Sequence, residues 1–146
     1  MGTILVVYYS GSGNTKQMAE RVAEGAAADK RHAVKVVPVT ELDMNEFAAA
    51  AGYALGSPDY FTYMAGQMKT FFDRALVSVV KNVKDKPFVS FVSHGGGGGA
   101  IESLDRLGKA VGLNRVCEGV KSQGPPSKTV AEECRELGRK LADAAG

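Results

Sequence analysis

The sequence is poor in cysteine, carries no surplus of either charge and contains no long apolar run, and each shortage closes off a class of protein. No apolar stretch approaches the roughly 20 residues that span a bilayer. Met1-Gly2-Thr3 leads straight into a strand-like run with no basic leader or cleavage site, so the chain reads as cytoplasmic with no membrane span. Eighteen basic and 16 acidic residues leave a formal charge of +2 with no lysine block, which is not the footprint of a nucleic-acid binder. Cys117 and Cys134 fall in different predicted elements and form no Cys-x-x-Cys pair. That argues against a disulfide framework or a zinc site and for two buried thiols.

What is present is an ordinary globular composition, 45% hydrophobic and 23% charged, in a length that suits one domain over residues 1–146. Thr3 to Tyr9 is an Ile-, Leu-, Val- and Tyr-rich run that stops at Ser10-Gly11-Ser12-Gly13, as a strand buried on both faces does. Met18, Ala19, Val22, Ala23 and Ala26 then recur at helical spacing up to about Asp29. The unit repeats. Ala33 to Val39, Gly52 to Gly56, Pro87 to Ser93 and Arg115 to Val120 read as further strands. Glu41 to Ala48 reads as a short helix. Longer ones carry Met64, Met68, Phe71, Phe72, Ala75, Leu76 and Val79, then Ile101, Leu104, Leu107 and Val111, then Val130, Cys134, Leu137 and Leu141. Strands alternating with helices predict an α/β fold with a parallel, doubly wound sheet and helices on both faces. Ligands of such folds bind beyond the carboxyl ends of the strands, where the order reverses.

The loops at that edge are the unusual stretches. Ser10-Gly11-Ser12-Gly13-Asn14-Thr15 joins a buried strand to a helix, so backbone N–H groups and three hydroxyls converge where the helix dipole favours an anion. Ser10, Ser12 and Thr15 are candidate side-chain donors, Asn14 offers its backbone or amide N–H, and the nearest cation is Lys16. The competing reading is a serine-rich turn in which Ser12 or Thr15 caps the helix. The Gly-x-x-x-x-Gly-Lys-Ser/Thr loop of nucleotide triphosphatases is absent, and the pentaglycine Gly95 to Gly99 fits almost any glycine pattern. Tyr8-Tyr9-Ser10 and Gly56-Ser57 lack the carboxylates of a receiver domain, and neither cysteine begins a Cys-x5-Arg phosphatase loop.

The first loop resembles the FMN phosphate loop of the flavodoxin family, Ser/Thr-x-Ser/Thr-Gly-x-Thr, at every position from Ser10 to Thr15. Gly56-Ser57-Pro58, the aromatics after it and Met64-Ala65-Gly66-Gln67-Met68-Lys69 look like the second flavin loop of flavodoxins and of WrbA-type NAD(P)H:quinone oxidoreductases. The resemblance implies a three-layer fold with a five-stranded sheet in the order 2-1-3-4-5 and one FMN. The isoalloxazine would lie between the second loop (Ser57, Pro58, Asp59, Tyr60, Phe61) and the third (Ser93, His94, Gly95, Gly96, Gly97). Tyr60 and Phe61 would supply an aromatic face, and Ser57, Asp59 and the N–H groups of Gly95 to Gly97 the polar edge. Asp59 has a second reading as a cap of the following helix, and Met64 and Met68 as core. His94 is the histidine near the ring, while His32 is predicted exposed. The chain has no tryptophan and its third loop is glycine instead of an aromatic, so one face of the flavin is expected to be open. The function implied is electron transfer between partners, a redox protein or a small acceptor such as a quinone. The alternative is an NAD(P)H-dependent quinone or FMN reductase.

Overall fold

The computed structural model describes residues 2–146; Met1, where the sequence reading begins, lies outside the described residues. The first strand, β1 (Thr3–Tyr8), lies inside the sheet, with every side chain from Ile4 onward buried. Leu5 and Val7 enter one apolar layer and Ile4, Val6 and Tyr8 the other, the period-two alternation of a strand covered on both sides. Parallel to β1 run β2 (Ala33–Pro38) on one flank and β3 (Gly52–Tyr60) on the other, and β5 (Pro87–His94) pairs with β3. Beyond β5 the edge position is shared by β6 (Asn114–Arg115) and β7 (Val120–Gln123), both parallel to it. Counting that edge as one broken strand, the order is the 2-1-3-4-5 expected.

Helices α1 (Asn14–Ala27) and α6 (Lys128–Ala145) cover one face with Met18, Val22, Cys134, Leu137 and Leu141. The other face takes α2 (Met44–Ala49), α3 (Gly66–Ser78), α4 (Val80–Val83) and α5 (Ala100–Ala110), with Phe47, Met68, Phe71, Phe72 and Leu104 in its core. No helix among the described residues is long and apolar enough to cross a membrane.

The structure differs from the sequence pattern at five places. The third strand does not stop at Gly56 but runs to Tyr60 and turns back as β4 (Tyr63–Met64), so Ser57, Pro58 and Asp59 are strand residues. Met64 therefore belongs to β4, and α3 begins at Gly66; both Met64 and Met68 are buried, whereas Leu76 faces solvent. The short helix starts later than Glu41 because Asp43 accepts a hydrogen bond from Asn45 N at 2.8 Å and caps it, leaving Val39–Glu41 as a 3₁₀ turn. The fifth strand breaks at 116–119. There Gly119 passes so close to β5 that a Cβ on it would lie 2.5 Å from Ser90 O. Finally, His32 is buried, under a turn that Arg31 ties down by pairing with Asp29 at 2.5 Å and with Asp143 on α6.

Candidate functional site

The carboxyl ends of β1, β3 and β5 open onto one edge, and three cross-links fix the segments leaving them. Thr15 Oγ1 and Ser93 Oγ share a buried hydrogen bond of 2.8 Å, joining the first loop to the third. The Asp59 carboxylate accepts from Thr62 N at 2.8 Å and from Ala100 N at 3.1 Å, joining the second segment to the start of α5. Tyr60 reaches back to the first loop, where a Cβ on Gly11 would sit 2.4 Å from its hydroxyl.

The first loop is shaped by backbone donors. Gly13 adopts φ 98° and is the N-cap of α1, so the capping position offers no side-chain acceptor, and neither Ser12 nor Thr15 supplies one. The N–H groups of the first turn have no intrahelical acceptor. Ser10 Oγ meets part of the demand, accepting from Gly13 N at 3.0 Å and Lys16 N at 3.4 Å. Such a ring of neutral donors at a helix start is suited to a phosphate oxygen.

Two clefts flank this loop. One of about 390 Å³ is lined by Ser12, Asn14, Pro58, Asp59, Tyr60, Ser93, His94 and Gly95, together with Gln123 and Gly124. The other, about 470 Å³, runs along Ser10, Gly11, Ser12 and Gly13 to Lys16 and Thr40. Gln123 and Gly124 were not legible in the sequence, because the last strand was expected to end at Val120. The structure keeps five candidates apart from these linings, Thr15, Ser57, Phe61, Gly96 and Gly97. Ser57 Oγ is buried and accepts from Ala65 N at 2.8 Å, holding the entry to α3. Thr15 is buried against Ser93. Phe61 projects fully into solvent. Asp59, within the lining, caps α5 and not the helix that follows it in sequence.

Gly95, Gly96 and Gly97 are exposed, and a Cβ on any of them would meet nothing within 4 Å. His94 is half-buried at the end of β5, and its Nδ1 is buried without a hydrogen-bond partner. A third cleft, about 410 Å³, lies between α6 and the 117–120 segment, but Glu118, Glu133 and Glu136 make its lining hostile to an anion. The chemistry of the donor set thus fits a phosphorylated, flat and partly polar group at the first two clefts: neutral donors at one end, Tyr60 in the middle, and an uncovered backbone edge with an unpartnered imidazole nitrogen at the other.

Fold and cleft together define a doubly wound domain of the flavin-nucleotide-binding kind. The family model described as flavodoxin matches residues 6–138. A flavodoxin of Aquifex aeolicus is 34% identical over an alignment of 162 positions that covers 98% of this chain and 86% of that one. A solved archaeal flavodoxin superposes with a TM-score of 0.89 at 27% identity, covering 98% of each chain. A flavodoxin described as WrbA-like, from Agrobacterium tumefaciens, gives 0.85 at 25% identity, covering 99% of this chain and 98% of that one. The chain belongs to the flavodoxin family. Its cofactor is FMN, and its activity is electron transfer.

Proposed function

We propose that this chain passes electrons between partner proteins through one FMN held at the carboxyl edge of its sheet. The observation that carries the reading is the convergence of the Ser10–Thr15 loop, the end of β3 and the Ser93–Gly97 segment about one cross-linked edge. Bound there, FMN supplies the redox chemistry, while the protein sets orientation, access and potential. Ser10, Gly11, Ser12, Gly13 and Asn14 would hold the phosphate through N–H and hydroxyl donors. Tyr60 would cover one face of the ring and exclude water from it. Ser93, His94 and the N–H groups of Gly95 to Gly97 would meet the polar edge, with Pro58 below. Thr15 and Asp59 act as positioning residues, the first by anchoring the phosphate loop to Ser93, the second by clamping the hairpin to α5. A cytoplasmic setting belongs to the same proposal and is supported by two free cysteines.

A second reading, an NAD(P)H-dependent quinone or FMN reductase, is favoured by one feature: the glycine segment has no side chain with which to cover the outer face of the ring. Both are tested on one sample. Added FMN should be taken up with a shifted visible spectrum, and anaerobic photoreduction should pass through a long-lived blue one-electron form. Direct bleaching would count against the carrier, and bleaching by NADPH under argon would establish the reductase. A protein that stays colourless would defeat both.

A further inference from the structure

The hairpin between β3 and β4 turns through Phe61 and Thr62, whose φ values of 58° and 63° put both in the left-handed region. Two-residue turns of this hand ordinarily use Asn-Gly or Asp-Gly, and a β-branched residue there is an outlier. Strain of this sort persists where the surroundings over-determine it. Here they do. Asp59 holds Thr62 N and Ala100 N, Met64 N donates to Ser103 Oγ at 3.1 Å, and Ala65 N donates to Ser57 Oγ. The product of that scaffolding is a phenyl ring that is 100% exposed, at the tip of a clamped hairpin beside Tyr60, itself 42% exposed. An apolar aromatic mounted rigidly in water has the properties of an interface anchor.

The rim beside it carries no free carboxylate. The rim segments 10–15, 59–63, 94–99 and 123–127 contain a single carboxylate, Asp59, and both its oxygens are taken by backbone N–H groups. Flanking the rim are Lys16 on the first turn of α1, Lys121 on β7 and Lys128 at the start of α6, all exposed and in no ion pair among the described residues. Lys121 lies against Gly98, next to His94. Acids lie beyond the rim: Glu41 and Asp43 follow Thr40, and Glu102, Asp105 and Glu118 line a separate cleft with Arg115, at which Lys121 is the border.

We propose that Phe61 and the lysine-flanked rim form a docking surface for a redox protein whose electron-exchanging centre is ringed by carboxylates and offers an apolar pocket to the phenyl ring. This rests on the reading that the cleft holds FMN. Association would be steered by the lysines, which act on encounter rate, and held by Phe61, which acts on dissociation.

The test uses two haem proteins as probes: cytochrome b5, whose haem edge is ringed by carboxylates, and cytochrome c, whose haem edge is ringed by lysines. The FMN-loaded protein is photoreduced and mixed with each ferric probe by stopped flow; each transfer moves one electron to a ferric haem, which becomes ferrous. Transfer to cytochrome b5 should slow about tenfold between low and high salt, and transfer to cytochrome c should not slow. The Lys121→Glu/Lys128→Glu pair should remove or invert the salt dependence. Phe61→Asn accepts the left-handed backbone, so it should fold at least as stably as the parent and keep FMN, yet weaken cytochrome b5 binding about tenfold. Binding of cytochrome b5 to the immobilised, flavin-free protein reads the same surface without the cofactor, so failure of FMN uptake and failure of docking are separate results. Faster, salt-sensitive transfer to cytochrome c, or unchanged cytochrome b5 binding in Phe61→Asn, would overturn the proposal.

Discussion

A methyl group on Gly56 would lie 2.0 Å from Cε2 and 2.2 Å from Cζ of Phe91, a ring with no exposure at all. β3 can therefore cross that ring only without a side chain, and the strand continues past it to deliver Pro58, Asp59 and Tyr60 to the cleft. Overpacking of a closed core costs about 1–3 kcal/mol. Gly56→Ala should lose about that much in urea unfolding, and Phe91→Leu in the same chain should recover part of it; additive losses would show that the two do not compete for space. Cys134 makes a second prediction at this scale. Burial pushes its thiol up to about 12, against 9.0 for the free group. An unfolded chain thus releases the proton first, so stability from this group is complete below pH 9 and drains away as pH rises towards 12. Cys134→Ala should flatten the decline of the denaturation midpoint over that window. An identical slope in the two proteins would mean that the thiol is not sequestered. Cys117, expected buried as well, is only half covered, and burial raises its thiol too.

At the scale of elements, α1 and α6 meet through glycine. A Cβ on Gly138 would sit 2.0 Å from Val22 O, and one on Gly25 would sit 1.8 Å from Arg135 O. Helix propensity alone favours Gly138→Ala by about 1 kcal/mol. The contact is with backbone, which cannot swing aside, so the substitution should instead lower stability by about 2 kcal/mol or more, read as a lower thermal midpoint. A rise would show that the helices separate freely. These helices were legible because their apolar residues recur every three to four positions and span several turns. The hairpin was not. Phe61-Thr62 carries none of the Asn, Asp or Gly that mark a left-handed turn, and Tyr63-Met64 merges with the helical spacing of Met68 and Phe71. The broken edge was hidden for another reason: Arg115 to Val120 has strand-like residues, but Arg115 turns to Asp105 at 2.9 Å while Ser90 Oγ donates to the same carboxylate at 2.6 Å. Such a polar link between α5, β5 and β6 is a tertiary contact, invisible to local pattern. The burial of His32 is hidden likewise: the residue before it pairs with Asp143, at the far end of the chain.

At the scale of the molecule, the first loop was the most readable part of the candidate site because its donors are consecutive and its job needs only a strand end, a helix start and glycine. The outer lining was less readable, since Gln123 and Gly124 arrive from a strand whose end depends on the break before it. The division of labour between phosphate loop and ring cleft makes a prediction about the whole fold. A ligand that binds only the folded chain stabilises it by about 2.7 kcal/mol at a hundredfold excess over its Kd. For a domain of this size that is roughly 5–10 °C in thermal midpoint. FMN should give such a shift. Riboflavin, identical in its ring system but without the phosphate, leaves the Ser10–Thr15 donors unanswered and should give a much smaller one at equal concentration, and inorganic phosphate alone should give little because nothing fills the ring cleft. Equal shifts with FMN and riboflavin would mean that the start of α1 contributes no binding, and the phosphate would then have to lie elsewhere.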